Sequence, residues 1–195
     1  LVAIGTLADV VPLKKENRAL VYEGLKRINS GSRQGIEALK NAAGVSGKKL
    51  GAGGISFTLA PRINAAGRMG SAMTAFRLLL SDDENDAAEL AKTIDTYNKE
   101  RHSVENEITK QAIAEIESRP DEKYASVIVV SGENWHQGVI GIVAARLCGK
   151  YGKPAVVISV GGEKGKGSCR SIEGCSIYDA LSAVSDTLTH FGGHT

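Results

Sequence analysis

The sequence predicts an α/β chain in three parts: a mainly helical first part, a long connecting helix, and a small α/β domain with a mixed sheet. Three observations carry this. Before residue 82, apolar residues recur at helical spacing, as in Asn17–Leu25. From about Glu84 to Ser118 a seven-residue apolar repeat persists over far more turns than a globular helix usually has. After Pro120, short β-branched runs alternate with a helical pattern. The expected boundaries are 1–82, 83–119 and 120–195.

Taken in order, residues 1–40 read as helical, Gly44–Gly54 as a Gly/Ser/Lys-rich loop, and Met73–Leu80 as a further short helix. The long helix is capped by Asp82 or Asp83 and ended by Pro120. Its seam comprises Leu90, Ile94, Tyr97, Val104, Ile108 and Ala112, with Arg101 at a position where an apolar residue is expected. That arginine reads either as a structural ion pair or as a guanidinium turned toward a ligand. Ala125–Ser131 and Pro154–Val160 read as strands, joined by a helix over Gly138–Gly149, which makes a βαβ unit with parallel neighbours. Gly161–Gly165 then turns the chain into a third strand, Lys166–Ile172, and a last helix, Ile177–Leu188, leads to Gly192-Gly193-His194.

Composition narrows the class. With 42% hydrophobic and 24% charged residues, the 195-residue chain has the balance of an ordinary globular protein. No apolar run approaches the roughly 18 residues of a membrane span, so no membrane partner is expected. Cys148, Cys169 and Cys175 are odd in number and lack paired metal-ligand spacing; Cys148 reads as core, and the simplest compartment is the reducing cytoplasm. The net charge of +2 hides an asymmetry. Residues 1–81 hold 12 Lys/Arg against 4 Asp/Glu, 82–123 hold 6 against 13, and 136–170 hold 6 against one. Two basic blocks around an acidic one could face a polyanion, but charge runs are more often solvated surface.

Four constellations could hold phosphate. His136, in Trp135-His136-Gln137-Gly138, lies between the first strand and its helix, where ligands of open α/β sheets bind. Ser168 and Arg170 share one face of the third strand, a hydroxyl beside a guanidinium. Arg62 and Arg68 flank small residues that would let a polynucleotide backbone approach closely. Gly192 and Gly193 can adopt positive φ and form an anion-binding nest, with His194 adding a hydrogen bond. Three have a plain alternative: a satisfied loop histidine, an ordinary strand arginine, a glycine turn. Asp9 is a lone carboxylate in the apolar stretch Gly5–Leu13, either a helix cap or a metal ligand.

Together these segments resemble the Asp-His-His (DHH) phosphoesterases, and among them the RecJ-like single-strand-specific 5′→3′ DNA exonucleases. Gly5–Leu13 is similar to the family segment with the last metal-binding aspartate, here Asp9. Leu59–Arg68 resembles its arginine segment, and Asn98/Arg101 an Asn-x-x-Arg on the connecting helix. Trp135–Arg146, Gly167–Ser171 and Gly192–His194 resemble the family's smaller substrate-binding domain. The resemblance implies that residues 1–82 are the C-terminal part of a DHH lobe and that two Mn²⁺ or Mg²⁺ ions activate water in the intact enzyme. It implies roles in DNA repair and recombination, with single-stranded DNA as partner. It makes Asp9 a catalytic metal ligand and gives substrate contacts to Arg62, Arg68, Arg101, His136, Ser168, Arg170, Gly192, Gly193 and His194.

The Asp-His-His motif itself and the preceding Asp-rich motif are absent from the sequence. The expectation is therefore an internal fragment that binds catalytic metal poorly and does not hydrolyse DNA by itself. The alternatives are a family phosphodiesterase for oligonucleotides or dinucleotides, and a non-catalytic nucleic-acid-binding relative.

Overall fold

A computed structural model describes residues 1–31, 33–119 and 125–193. The chain forms two compact units, Leu1–Arg101 and His102–Thr195, divided within the long helix.

The first unit is helical throughout: α1 Val2–Ala8, α2 Lys15–Asn29, α3 Gln34–Ala42, α4 Ala52–Gly54, α5 Ala60–Met69, α6 Ala72–Leu80 and the first half of α7 Glu84–Ser118. Its core gathers Ile4, Leu7, Leu39, Ile55, Leu59, Leu78 and Ile94, all buried. Two glycines allow helix backbones to touch. A Cβ at Gly24 would lie 2.3 Å from the Ala3 methyl, and one at Gly35 would lie 1.7 Å from the Leu78 carbonyl oxygen. Helix starts follow side-chain chemistry: Ser71 Oγ accepts from Met73 N–H, and Asp83 Oδ1 accepts from Asp86 N–H at 2.7 Å.

The expected Gly44–Gly54 loop stops at Gly51 instead. Helix α4 takes up Gly53 and Gly54 and runs through a π-helical turn, Ile55–Leu59, into α5. Ile55 and Leu59 are completely buried, so packing against the core overrides the low helix propensity of the glycines.

Helix α7 has the predicted bounds. Its buried positions repeat every seven residues, Ala87/Ile94/Arg101/Ile108 and Ala91/Asn98/Glu105/Ala112, whereas Leu90, Tyr97 and Val104 are only half-buried. The middle of the seam is thus polar: Arg101 Nη2 donates to Asn98 Oδ1 at 3.0 Å.

The second unit holds β1 Ile128–Glu133, α8 Ile140–Tyr151, β2 Ala155–Gly161, β3 Lys164–Arg170 and α9 Ile177–Ala183, followed by a 3₁₀ turn, Ser185–Thr187. The sheet order is β1-β2-β3, with β1 parallel and β3 antiparallel to β2. This is the mixed sheet that the sequence predicts. Ile128, Val130, Ala155 and Val157 join Ile140, Val143, Ala144 and Leu147 of α8 in the buried set.

Several boundaries shift for physical reasons. Helix α8 passes through Gly149 and stops at Gly152, whose φ of 63° makes the left-handed cap. Gly162, at φ 60°, is the first residue of a two-residue hairpin turn, so β3 begins at Lys164 rather than at Lys166. β1 begins at Ile128, whose N–H donates to the Pro154 carbonyl and sets the register. The final helix ends at Ala183, short of the expected Leu188. Pro120 lies outside the described residues.

Candidate nucleic-acid interface

In the second unit, side chains at 155, 157 and 159 of β2 share one face; Ala155, Val157 and Ser159 are buried there, whereas Val156, Ile158 and Val160 on the other face are half-buried. The antiparallel register sets Arg170 opposite Ala155, Ser168 opposite Val157 and Lys166 opposite Ser159. Ser168 and Arg170 therefore lie on the same side of β3, as their spacing predicts. Helix α8 packs over this side, and Gly141 in its first turn is the point of closest approach. A Cβ there would stand 2.9 Å from Ser168 Oγ and 3.9 Å from Arg170 Nη2. Hydroxyl and guanidinium thus meet the bare backbone of the helix start, packed too closely for even a methyl group at 141. No side-chain hydrogen bond to a described residue occupies the Ser168 hydroxyl. Arg170 Nη1 donates only to the neighbouring Cys169 carbonyl at 2.9 Å.

His136 enters from the loop between β1 and α8. Its Nδ1 accepts from Gly138 N–H at 3.1 Å. In the neutral imidazole the proton then sits on Nε2, which can donate outward. The amides at this helix start are already bonded. Gly138 N–H is bonded to the imidazole, and Val139 and Ile140 N–H are bonded to the His136 carbonyl. Anion binding here depends on side chains more than on a bare helix start. The loop is anchored twice: Ser159 Oγ donates to Trp135 O at 2.5 Å, and Trp135 Nε1 donates to Gln111 Oε1 at 2.7 Å. Ser159 is the residue opposite Lys166, so the loop and the strand face adjoin.

Gly192 and Gly193 follow Phe191, whose ring packs 5.7 Å from that of Tyr178. Both glycines are exposed, and neither has positive φ. The expected nest is not formed, because a nest needs left-handed backbone that these residues do not adopt. A Cβ on either meets nothing within 4 Å, so they stand clear of Ser168 and Arg170. His194 lies outside the described residues. Of the three cysteines, Cys148 is half-buried rather than core, its thiol against the Ser171 carbonyl at 3.3 Å. Burial pushes the Cys169 thiol pKa up despite the charge of Arg170 beside it.

In the first unit, Asp9 is the exposed C-cap of α1, and Val10 after it turns the chain at φ 54°. A β-branched residue in that region is strained, so the turn that presents Asp9 is held by its surroundings. Among the described residues, no group of three or more His, Cys, Asp or Glu is arranged to hold a metal ion. Asp9 offers one hard oxygen donor, and a Mn²⁺ or Mg²⁺ ion needs others besides it.

The small residues of Leu59–Arg68 do not form an open surface: Ala60, Ala65 and Ala66 are buried in the core side of α5. Arg68 is exposed, whereas Arg62 is held in place. Its Nε donates to Asp95 Oδ1 at 2.9 Å and its Nη1 to the Thr58 carbonyl at 2.7 Å. Asp95, which the sequence reading missed, also pairs with Lys99 at 2.7 Å. Its place beside Ile94 in the helical seam was the available signal.

Burial alone would raise the Asp95 pKa, but the hydrogen bonds and charges of Lys99 and Arg62 outweigh it and hold the carboxyl below its usual range. A depressed pKa means the pair stabilises the fold above the unfolded value and ceases to as pH falls through the folded one. Asp95→Asn should therefore cost about 2 kcal/mol at pH 7. The gap to the parent should close below about pH 4 in urea unfolding. A gap that stays constant from pH 7 to pH 3 would contradict this.

Comparison with known proteins places these features. Residues 121–195 match the DHHA1 domain model. The single-stranded-DNA-specific exonuclease RecJ of Bacillus subtilis (strain 168) is 42% identical over 196 residues, covering all of this chain and 25% of that protein. Among solved structures, RecJ from Thermus thermophilus in complex with Mg²⁺ has a TM-score of 0.86 at 39% identity, covering 98% of this chain and 29% of that one. The Mn²⁺ complex gives 0.85, covering 98% and 28%. The chain spans about a quarter to a third of the length of the curated relatives it matches. No helix among the described residues is long and apolar enough to cross a membrane. With the helical unit, the long helix and the three-stranded mixed sheet in common, these matches make the chain similar along its whole length to the segment of RecJ exonucleases that carries the DHHA1 domain.

Proposed function

We propose that this chain is the strand-holding segment of a metal-dependent single-stranded-DNA exonuclease. The observation that carries the reading is the convergence of Ser168 Oγ and Arg170 Nη2 on Gly141. A guanidinium offsets phosphate charge and a hydroxyl donates to a phosphate oxygen, while the absent side chain at 141 lets both groups stand against the helix start. His136 Nε2 supplies a further donor from the adjoining loop. Arg68 offers a further guanidinium to phosphate, and Arg62, committed to Asp95, stiffens the segment that carries it. Gly192, Gly193 and His194 extend the grip along the sugar–phosphate backbone, and Arg101 orders the middle of α7 through Asn98. Asp9 supplies one oxygen ligand to the Mn²⁺ or Mg²⁺ of the intact enzyme; the RecJ structures that resemble this chain contain those ions. Holding phosphates in place is this segment's contribution to hydrolysis, because a displaced phosphodiester is not attacked.

The test is binding of a dye-labelled oligo(dT) 12-mer to the chain, followed by anisotropy. Arg170→Ala should weaken binding about tenfold, as expected for one charge-assisted contact. Its melting temperature should be unchanged, because Arg170 is exposed. Equal affinity for parent and variant at low salt would overturn the reading.

A further inference from the structure

We propose that the 164–170 row of β3, exposed along the sheet edge at Lys164, Lys166 and Arg170, is a track for consecutive phosphates, extending the Ser168/Arg170 pair through Lys166 to Lys164; the proposal rests on the function proposed above. The β2–β3 ladder pairs every residue from Ala155↔Arg170 to Gly161↔Lys164 without a bulge. Side chains at 164, 166, 168 and 170 therefore share one face. Each is a cation or a hydroxyl donor, and the residues between them are Gly165, Gly167 and Cys169.

The strand lies at the edge of the sheet, bonded to β2 alone, and Lys164, Lys166 and Arg170 are exposed. Successive donors on this face are about 6.8 Å apart, a separation comparable to that of neighbouring phosphates in an extended single strand. A duplex carries its phosphates on two strands at closer axial spacing and does not match a single straight row.

Position reinforces the charge pattern. Lys166 lies opposite Ser159, which anchors the His136 loop, and Asn134 of that loop comes within 3.9 Å of where a Cβ on Gly161 would stand. A strand seated at Arg170 and Ser168 and continuing along β3 passes this loop next. The opposite face offers no such row: Gly165 and Gly167 there lie over Ile158. Lysines on an edge strand also discourage pairing with another chain, a role that requires no ligand.

The experiment separates these roles with the full 195-residue chain. Lys164→Ala/Lys166→Ala is compared with Lys48→Ala/Lys49→Ala, which removes the same charge from an exposed loop of the first unit. The probe is oligo(dT) 12-mer, titrated by anisotropy across a salt series. The β3 pair should weaken binding about fivefold or more and reduce the log–log salt slope by about 1.4, two phosphates' worth for a single strand. The loop pair should leave both unchanged. The track is overturned if the two pairs behave alike, whether both weaken binding, as bulk charge would, or neither does. Arg170→Ala in the same series distinguishes the failures. If it weakens binding and the β3 lysine pair does not, the track alone falls; if neither weakens it, the underlying function falls as well.

Discussion

Replacing Gly132 by alanine should destabilise the second unit by about 3 kcal/mol and release the loop that carries His136. The added Cβ would lie 2.1 Å from Trp135 Cε2 and 2.4 Å from Nε1, well inside contact distance. The indole cannot slide aside cheaply, because it is buried and its Nε1 is bonded to Gln111. Moving it exposes apolar area and breaks a part-buried hydrogen bond, and each adds to the cost. Trp135 is the sole tryptophan, so its emission reports the change directly. A red shift together with a lower melting temperature is expected, and weaker oligo(dT) binding should follow. A variant with parent emission and an unchanged melting temperature would show that the indole is not seated on Gly132.

The second large effect lies in the helical unit. Gly35→Ala should cost about 3 kcal/mol or more, because the new Cβ would lie 1.7 Å from the Leu78 carbonyl oxygen and 2.7 Å from its carbon. Backbone cannot rotate out of the way, so α3 and α6 must separate and open the core around Leu39 and Leu78, both completely buried. Gly149→Ala is the control. It sits on the exposed side of α8 with nothing within 4 Å of the added Cβ. Removing a helical glycine there should raise stability by about 0.5–1 kcal/mol. Chemical denaturation of both variants checks the pair. If they shift stability in the same direction, helix propensity rather than packing governs these sites.

These glycines show where reading a sequence stops. Gly132, Gly35, Gly149 and Gly141 are one letter in the sequence, and nothing local separates a glycine under an indole from one facing solvent. The same holds for Arg62 and Arg68. Their spacing suggested two equivalent contacts, but Arg62 is tied to Asp95, 33 positions away. Periodicity made the polar middle of the α7 seam legible only as one misplaced arginine, because Asn98 and Glu105 also suit an exposed helix face; Asn98 was marked by the resemblance alone.

What the sequence determined by itself were features of short range. Periodicity marked the helices and strands, Asp82 or Asp83 marked the start of α7, and alternation placed Ser168 and Arg170 on one face of β3. The ordered motifs marked the family. Backbone geometry repeats every two or 3.6 residues, so such patterns are written along the chain. What only the tertiary structure decided were relations between distant segments. These are Gly141 against Ser168, the lysine row of β3 beside the His136 loop, the Arg62–Asp95 pair, and the turn at Gly162 that moved β3 by two residues. They depend on which backbones approach closely enough to exclude a side chain, a property of packing that no single segment carries.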